Sequence, residues 1–302
     1  GSDGLVPVDS NAAALRADLS VGLGDLFSGM GGRVTLYAQS LDAGYSTASQ
    51  LSLADTQQFG GAFAIPLTDR LRLAAKADSR TETDGLDIIS GELDVGYSLT
   101  DRWSLGLGVR HDNREDHSPI VPVTQEEGAR TDAAVQLGYD PKAAWRGYGF
   151  VQSTLAADDT REENGRIGVG GAYRVTDRWV VDAEASHGQL GPGGKLGTSY
   201  QATDRTNVYV NYGLEDERGL DGLYGRSSNL IAGARTRLSD SSSIYLENRY
   251  QSADSRSGLT HATGVNFAPT DRWSLGSTVD VGTLVDRETG AETERKAGGL
   301  RI

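Results

Sequence analysis

A short repeat constrains the fold of this chain more than any other feature: Thr-Asp-Arg recurs between stretches in which apolar and polar residues alternate. The five copies begin at Thr68, Thr100, Thr176, Thr203 and Thr270. After the second copy, alternate positions hold Trp103, Leu105, Leu107 and Val109, and the residues between them are polar or glycine. A period of two places successive side chains on opposite faces of a β-strand. The repeat therefore predicts antiparallel hairpins with one apolar face and one polar face.

Aromatic residues recur at one depth on the predicted apolar face, close to the short turns. This aromatic girdle consists of Tyr97, Trp103, Tyr173, Trp179, Tyr200, Phe267 and Trp273. Trp and Tyr favour the level of lipid headgroups, and short turns below such a girdle are typical of the periplasmic end of an outer-membrane barrel. A soluble β-sandwich or soluble barrel also alternates, but it needs no aromatic ring at constant height and seldom tolerates so many glycines and charges on its inner face.

The composition agrees with a barrel and disfavours several other classes. The chain has 302 residues, 40 glycines, 7 prolines and no cysteine, so it has neither a disulfide framework nor a thiolate site. Its hydrophobic content is 37% and no run approaches the roughly 18 apolar residues of a spanning helix, whereas a barrel strand needs apolar residues only at every second position. The net charge of -13 argues against nucleic acid as a partner.

The pattern predicts an all-β protein: an antiparallel up-and-down transmembrane β-barrel of about 16 or more strands. Further short turns are expected at 139–142 and 238–242, and longer polar loops at the opposite rim. These loops are 42–57, 112–128, 158–164, 215–226 and 286–296. In bacterial barrels the short turns are periplasmic and the longer loops extracellular.

The two ends of the chain differ from the regular hairpins between them. Residues 1–12 are interpreted as an N-terminal tag or linker and 13–302 as the barrel, which is expected to continue beyond the C-terminus. The first segment, 13–23, fits either a strand or a helical stripe formed by Leu15, Leu19, Leu23 and Phe27. A further strand is expected to begin at Ala297.

The chain as a whole resembles the outer-membrane β-barrel proteins of Gram-negative bacteria. The segment 32–46, together with the repeated Leu-Thr-Asp-Arg-Trp turns, is similar to barrel regions of large multidomain surface proteins. The first resemblance implies a location in the bacterial outer membrane, and contact with its lipid, with lipopolysaccharide and with the barrel-assembly machinery. The second implies a barrel that anchors or exports other domains.

The polar face is the predicted lining of a pore for small polar solutes. Its candidate residues are Arg72, Lys76, Glu92, Asp94, Arg110, Asp182, Glu184, Arg235, Arg237, Glu247, Arg249 and Asp280. If the acidic group on the early and middle strands faces the later arginines, the two walls create a transverse field that selects polar solutes. The alternative is that these charges pair or stay hydrated without selecting anything.

No catalytic residue, cofactor or metal is predicted. The four histidines, His111, His117, His187 and His261, have no ligand-like spacing, and no nucleophile elbow or phosphate loop is present. A barrel hydrolase would require a Ser-His or Asp-His pair at the outer rim, for which residues 112–117 are the nearest candidates. Acidic loop residues around 158–163 and 215–217 are expected to be solvated, with divalent cations that bridge lipopolysaccharide as the alternative.

Overall fold

The structure is a computed structural model that describes residues 12–27, 29–47, 50–52, 54–119, 127–215, 227–252, 256–270, 273–287 and 290–301. Nearly all of this part of the chain is β-strand. Its one helix, α1 (Leu23–Leu26), has a single turn, and the described residues contain no helix with the length and apolarity needed to cross a membrane.

Nineteen strands follow one another along the described chain. They are β1 (Ala14–Gly22), β2 (Arg33–Leu41), β3 (Ser46–Thr47), β4 (Gln50–Leu51), β5 (Thr56–Pro66), β6 (Leu71–Glu82), β7 (Leu86–Ser98), β8 (Trp103–Asp116), β9 (Gly128–Tyr139), β10 (Trp145–Ala157), β11 (Arg166–Thr176), β12 (Trp179–Gly188), β13 (Gly191–Thr203), β14 (Thr206–Glu215), β15 (Ser227–Arg237), β16 (Ser242–Ser252), β17 (Arg256–Thr270), β18 (Trp273–Asp286) and β19 (Glu292–Arg301). Strands β3 and β4 form a separate small hairpin.

The other 17 strands form one antiparallel sheet in which each strand pairs with the next along the chain. The sheet is not closed by a ladder between β1 and β19, which run in the same direction. It nevertheless curls round, because β19 contacts β3 and because Arg301 lies near enough to Asp18 to act on it electrostatically. The predicted up-and-down antiparallel architecture with at least sixteen strands is confirmed.

The first and last segments resolve two sequence-based expectations. The first segment is a strand, β1, whose nine residues pair in register with β2, and helix begins only afterwards, at Leu23. The last strand begins at Glu292, five positions before Ala297, because it pairs with the end of β18 from Val285 onward. The interpretation of residues 1–12 falls almost wholly outside the described residues, which begin at position 12.

The repeated threonine forms the short turns. The hydroxyl oxygen of Thr100 accepts hydrogen bonds from the backbone N–H of Arg102 at 3.2 Å and from that of Trp103 at 3.0 Å. The threonines that begin the copies at 68, 176 and 203 accept the same bond from the arginine two residues later. A side-chain acceptor that replaces a backbone partner stabilises such turns.

The turn between β9 and β10 uses aspartate in place of threonine. The backbone N–H of Lys142 donates to Asp140 at 2.8 Å and holds the pKa of that carboxyl below its usual value. Lys142 itself has a φ of 61°, a left-handed conformation that few residues other than glycine adopt. The predicted turn at 139–142 is therefore present, but its geometry differs from that of the threonine turns.

Burial in this sheet is the reverse of that in a soluble protein. Large apolar side chains are exposed along one face of the sheet, among them Leu107 and Val135, each 44% exposed. Among the described residues, the fully buried polar and charged side chains outnumber the buried apolar ones. Soluble monomers rarely expose apolar patches of more than a few hundred Å².

The polar face is the concave one, because its side chains meet across an intervening strand. Tyr148 on β10 lies over Gly170 on β11 and donates a hydrogen bond to Glu184 on β12. A methyl group at Gly170 would lie 2.5 Å from the tyrosine ring, so glycine is needed there. The same arrangement recurs where Tyr209 crosses β15 to reach Glu247 on β16. Curvature that brings the side chains of one face together favours such contacts on the inner side of a sheet.

Candidate pore wall

All twelve predicted pore-lining residues lie on the concave polar face. Each is paired in register with another position of that face, as Glu92 is with Lys76 on one side and with Arg110 on the other. The seven residues of the aromatic girdle lie on the opposite, convex face near the short turns, and all are more than 40% exposed. That these two sets line a pore and mark a lipid headgroup level stays a prediction.

The acidic and basic residues of the concave face are interleaved and do not form two facing walls. The Lys195 ammonium lies 3.6 Å from a carboxylate oxygen of Glu184. Arg249 donates from Nε to Glu247 at 2.8 Å, and the Arg235 guanidinium lies 5.9 Å from the centre of the Tyr245 ring. Local pairing therefore accounts for these charges better than a transverse field does.

The register identifies further charged residues on this face. The basic residues of the concave face are Arg16, Arg33, Arg72, Lys76, Arg80, Arg110, Arg114, Arg130, Arg146, Arg166, Arg174, Lys195, Arg235, Arg237, Arg249, Arg295 and Arg301. The acidic residues are Asp18, Asp78, Glu82, Glu92, Asp94, Asp112, Asp116, Asp132, Asp182, Glu184, Glu247 and Asp280. The basic list is the longer one, although the chain as a whole has a net charge of -13.

The loop between β10 and β11, residues 158–165, packs against the concave face. Arg161 of this loop donates from Nη2 to Asp112 on β8 at 2.9 Å and from Nη1 to the carbonyl of Gly128 at 2.8 Å. The backbone N–H of Asn164 donates to the Thr154 hydroxyl at 2.8 Å. The four acidic residues of this loop that were expected to be solvated, Asp158, Asp159, Glu162 and Glu163, are exposed. Two other side chains of the loop point inward, which the sequence did not suggest: Arg161 is 4% exposed and Asn164 is fully buried.

The loop covers a dense group of charges on β8 and β9. Asp112 accepts from Arg161 and also from Arg114 Nε, at 3.0 Å, through the same carboxylate oxygen. On the next strand, Arg130 Nε donates to Asp132 at 2.9 Å, and the other oxygen of Asp132 accepts from the Thr154 hydroxyl. The Arg161–Asp112 ion pair and the hydrogen bonds to Gly128 and Thr154 tie the loop and three strands together. The sequence signal that could have suggested them is the pair of Arg-x-Asp and Asp-x-Arg spacings on the polar face.

A cavity of about 270 Å³ opens on the same wall, over β9 to β13. Its lining is Ala134, Gln136, Phe150, Gln152, Arg166, Glu184, Ser186, Gly193, Gly194 and Lys195. A methyl group at Gly193 would lie 2.3 Å from Arg166 Nη1, which donates to Ser186 at 3.0 Å. The cavity is mixed in charge and is part of the polar wall.

The candidates for catalysis and metal binding are dispersed. His117 Nε2 lies 3.7 Å from a carboxylate oxygen of Asp87 and 4.0 Å from one of Glu115, too far for hydrogen bonds. The carboxylate of Asp112 forms ion pairs with Arg114 and Arg161. His111 and His261 bond to Thr131 and Asn248 through their imidazole nitrogens. The part of the chain that the structure describes contains no group of three residues arranged to hold a metal ion. The acidic residues 216–217 lie outside the described residues.

Comparison with known proteins gave structural similarities alone. No family model matches the chain, and no curated protein matches it. The FrpB iron transporter of Neisseria meningitidis is 10% identical, with a TM-score of 0.46 over 96% of this chain and 63% of that protein. The copper transporter OprC is also 10% identical, with a TM-score of 0.44 and coverages of 96% and 64%. An anion-selective porin from Comamonas acidovorans is 7% identical, with a TM-score of 0.36 and 96% of each chain covered.

The chain thus spans less than two thirds of the length of the two transporters it matches. What the sheet itself displays is the meander of long antiparallel strands, with an apolar outer face and a polar inner face, that characterises porin-like outer-membrane barrels.

Proposed function

We propose that this chain forms a transmembrane β-barrel in the outer membrane of a Gram-negative bacterium, and that its lumen is a passive, water-filled conduit for small polar solutes. The observation that carries the proposal is the inverted burial of the sheet. An apolar convex face is stable against lipid tails and costly against water, whereas a charged concave face requires water.

The lengths of the strands and the aromatic residues near the short turns support the same proposal. All 17 strands of the sheet have nine to fifteen residues, and a tilted strand crosses a bilayer with about nine to eleven. The exposed Trp and Tyr side chains of the aromatic girdle favour the headgroup level next to the short turns.

The size of the barrel also supports a water-filled conduit, because side chains cannot fill an interior of that width. Barrels of about 16 to 18 strands enclose an aqueous channel unless a plug closes them. Several concave positions are glycine, for example Gly106 and Gly108 on β8, and these leave the wall open to water.

The test is the conductance of the purified chain in a planar lipid bilayer. We expect stable steps of current, and we expect their size and ion selectivity to change when Arg235, Arg237 and Arg249 are replaced together by glutamine. The matched control replaces Arg70 and Arg102, exposed arginines of the short turns, and should leave both quantities unchanged. Protein that inserts but carries no current would overturn the conduit and favour the alternative of an anchor or export barrel for a larger surface protein.

A further inference from the structure

The cavity over β9 to β13 lies at the long-loop end of the concave wall. Gln152 at its edge donates from Nε2 to the carbonyl of Asn164 in the β10–β11 loop, at 3.0 Å. The cavity volume of about 270 Å³ is just below the range of about 300–1,000 Å³ that is usual for small-molecule sites. In the proposed conduit, a solute would pass this cavity as it enters or leaves the lumen.

Glycines give the cavity its shape. Gly168 on β11 and Gly193 on β13 occupy concave positions, and a methyl group at either would overlap a side chain that extends across it. Phe150 extends across Gly168, and Arg166 extends across Gly193. The half-buried Phe150 ring therefore lies against the backbone of β11 and contributes an aromatic surface to the cavity.

Three neutral side chains of the cavity have hydrogen-bonding capacity to spare. Gln136 is exposed, and its amide has no hydrogen-bond partner in the part of the chain that the structure describes. Gln152 uses its Nε2 with Asn164, which leaves its Oε1 as an acceptor. The Ser186 hydroxyl accepts from Arg166 Nη1 at 3.0 Å and still has its own proton to donate. The cavity thus offers both donors and acceptors to a ligand.

The charged groups of the cavity are less available. Glu184 accepts a hydrogen bond from the Tyr148 hydroxyl and lies 3.6 Å from the Lys195 ammonium. The Nε and Nη2 atoms of Arg166 are buried in the wall, and its Nη1 is bonded to Ser186. A charged solute would have to compete with these contacts, whereas a neutral solute would leave them in place.

We propose that the cavity binds a single neutral sugar ring. A pyranose has C–H groups on its faces and hydroxyl groups around its edge, so it matches an aromatic surface bordered by amides and a hydroxyl. The C–H groups are attracted by the electron-rich face of the Phe150 ring, and the hydroxyls pair with Gln136, Gln152 and Ser186. An apolar solute of the same size would leave these polar groups unpaired. This inference rests on the proposed conduit for the route by which the sugar arrives.

The experiment measures the binding of D-glucose to the detergent-folded chain by saturation-transfer difference NMR, which requires no current. We expect transfer to the ring protons of glucose, with a Kd on the order of a few millimolar for a ligand of this size. Phe150→Leu, which removes the aromatic ring, and Gln136→Ala should each raise the Kd at least about threefold, whereas Phe150→Tyr should preserve it.

The matched control is Gln251→Ala, because Gln251 is an exposed glutamine on the concave face of β16, outside the cavity. This variant should bind glucose as the wild-type protein does. The circular dichroism spectrum of the β-sheet verifies that each variant is folded.

The outcomes separate the sugar site from the conduit. No transfer to glucose in the wild-type protein would overturn the site, whatever the conductance. Binding that Phe150→Leu and Gln136→Ala leave unchanged would overturn the cavity as its location. Displacement of glucose by free glycine or acetate, two charged probes, would overturn a site for neutral solutes. Glucose binding without current in bilayers would leave the site standing and overturn the conduit.

Discussion

Asp112→Asn removes a negative charge that lies between two buried guanidiniums. One oxygen of Asp112 accepts from Arg114 at 3.0 Å and from Arg161 at 2.9 Å, and the three side chains are 2%, 4% and 0% exposed. Asparagine keeps an acceptor oxygen but no charge, so two arginines lose their shared counterion. Removal of one partner from a buried ion pair costs about 3–5 kcal/mol. We expect the free energy of unfolding to fall by that amount.

The assay is urea unfolding of the protein folded into lipid vesicles, followed by the fluorescence of its four tryptophans. Asp101→Asn, at an exposed position of a short turn, is the control and should change the free energy of unfolding by no more than about 0.5 kcal/mol. Arg161→Gln should also destabilise, and the double variant should lose less than the sum of the two single losses, because both remove the same contact. A loss below about 1 kcal/mol for Asp112→Asn would refute the reasoning, since it would mean that water already solvates the pair.

Three further predictions test the faces and the turns. Val135→Lys, on the convex face, should weaken folding into lipid vesicles by about 2–4 kcal/mol, whereas Gln136→Lys, one residue later on the concave face, should have little effect; equal losses would contradict a lipid-facing convex surface. Gly170→Ala should cost about 1–3 kcal/mol in the same urea assay because the new methyl group overlaps the tyrosine ring that crosses it, while Gly147→Ala, whose nearest contact would be 3.5 Å, should be tolerated. Thr100→Val should lower the free energy of unfolding by about 1 kcal/mol, since two backbone N–H groups lose their acceptor, and an unchanged value would show that water replaces the hydroxyl.

The sequence predicts the strands well because the relevant signal is local. Alternation along Trp103, Leu105 and Leu107 depends only on neighbouring residues, and so does the hydroxyl of Thr100 in its turn. Faces and short turns were therefore predictable without knowledge of pairing. The position of the last strand was not, because Glu292 enters the sheet through its register with Val285 and not through any alternation of its own.

The inward packing of the β10–β11 loop was not predictable, for a different reason. Arg161 lies among Asp158, Asp159, Glu162 and Glu163, and such a run is typical of a solvated loop. Its partner Asp112 is 49 residues earlier in the chain. Contacts at that separation depend on the order and register of intervening strands, which alternation alone does not specify.

The tyrosine crossings illustrate the same dependence on register. Tyr148 and Glu184 are two strands apart, and they meet only because Gly170 stands between them at the same depth. Each residue alone fits many positions of a polar face. A one-residue slip of β11 would turn Val169 or Gly171 toward the tyrosine and would leave the carboxylate without this donor.

Period-two alternation also explains why bulk charge is a poor guide to the site. The chain distributes its residues over three surfaces, which are the convex face, the concave face and the rims, and each surface meets a different environment. Acidic residues in the connections dominate the net charge of -13, yet basic residues outnumber acidic ones on the concave wall. In the proposed conduit a solute would lie closer to the wall than to the rims, so the charge of the wall would act on it more strongly. The composition, which sums all three surfaces, predicts the opposite sign.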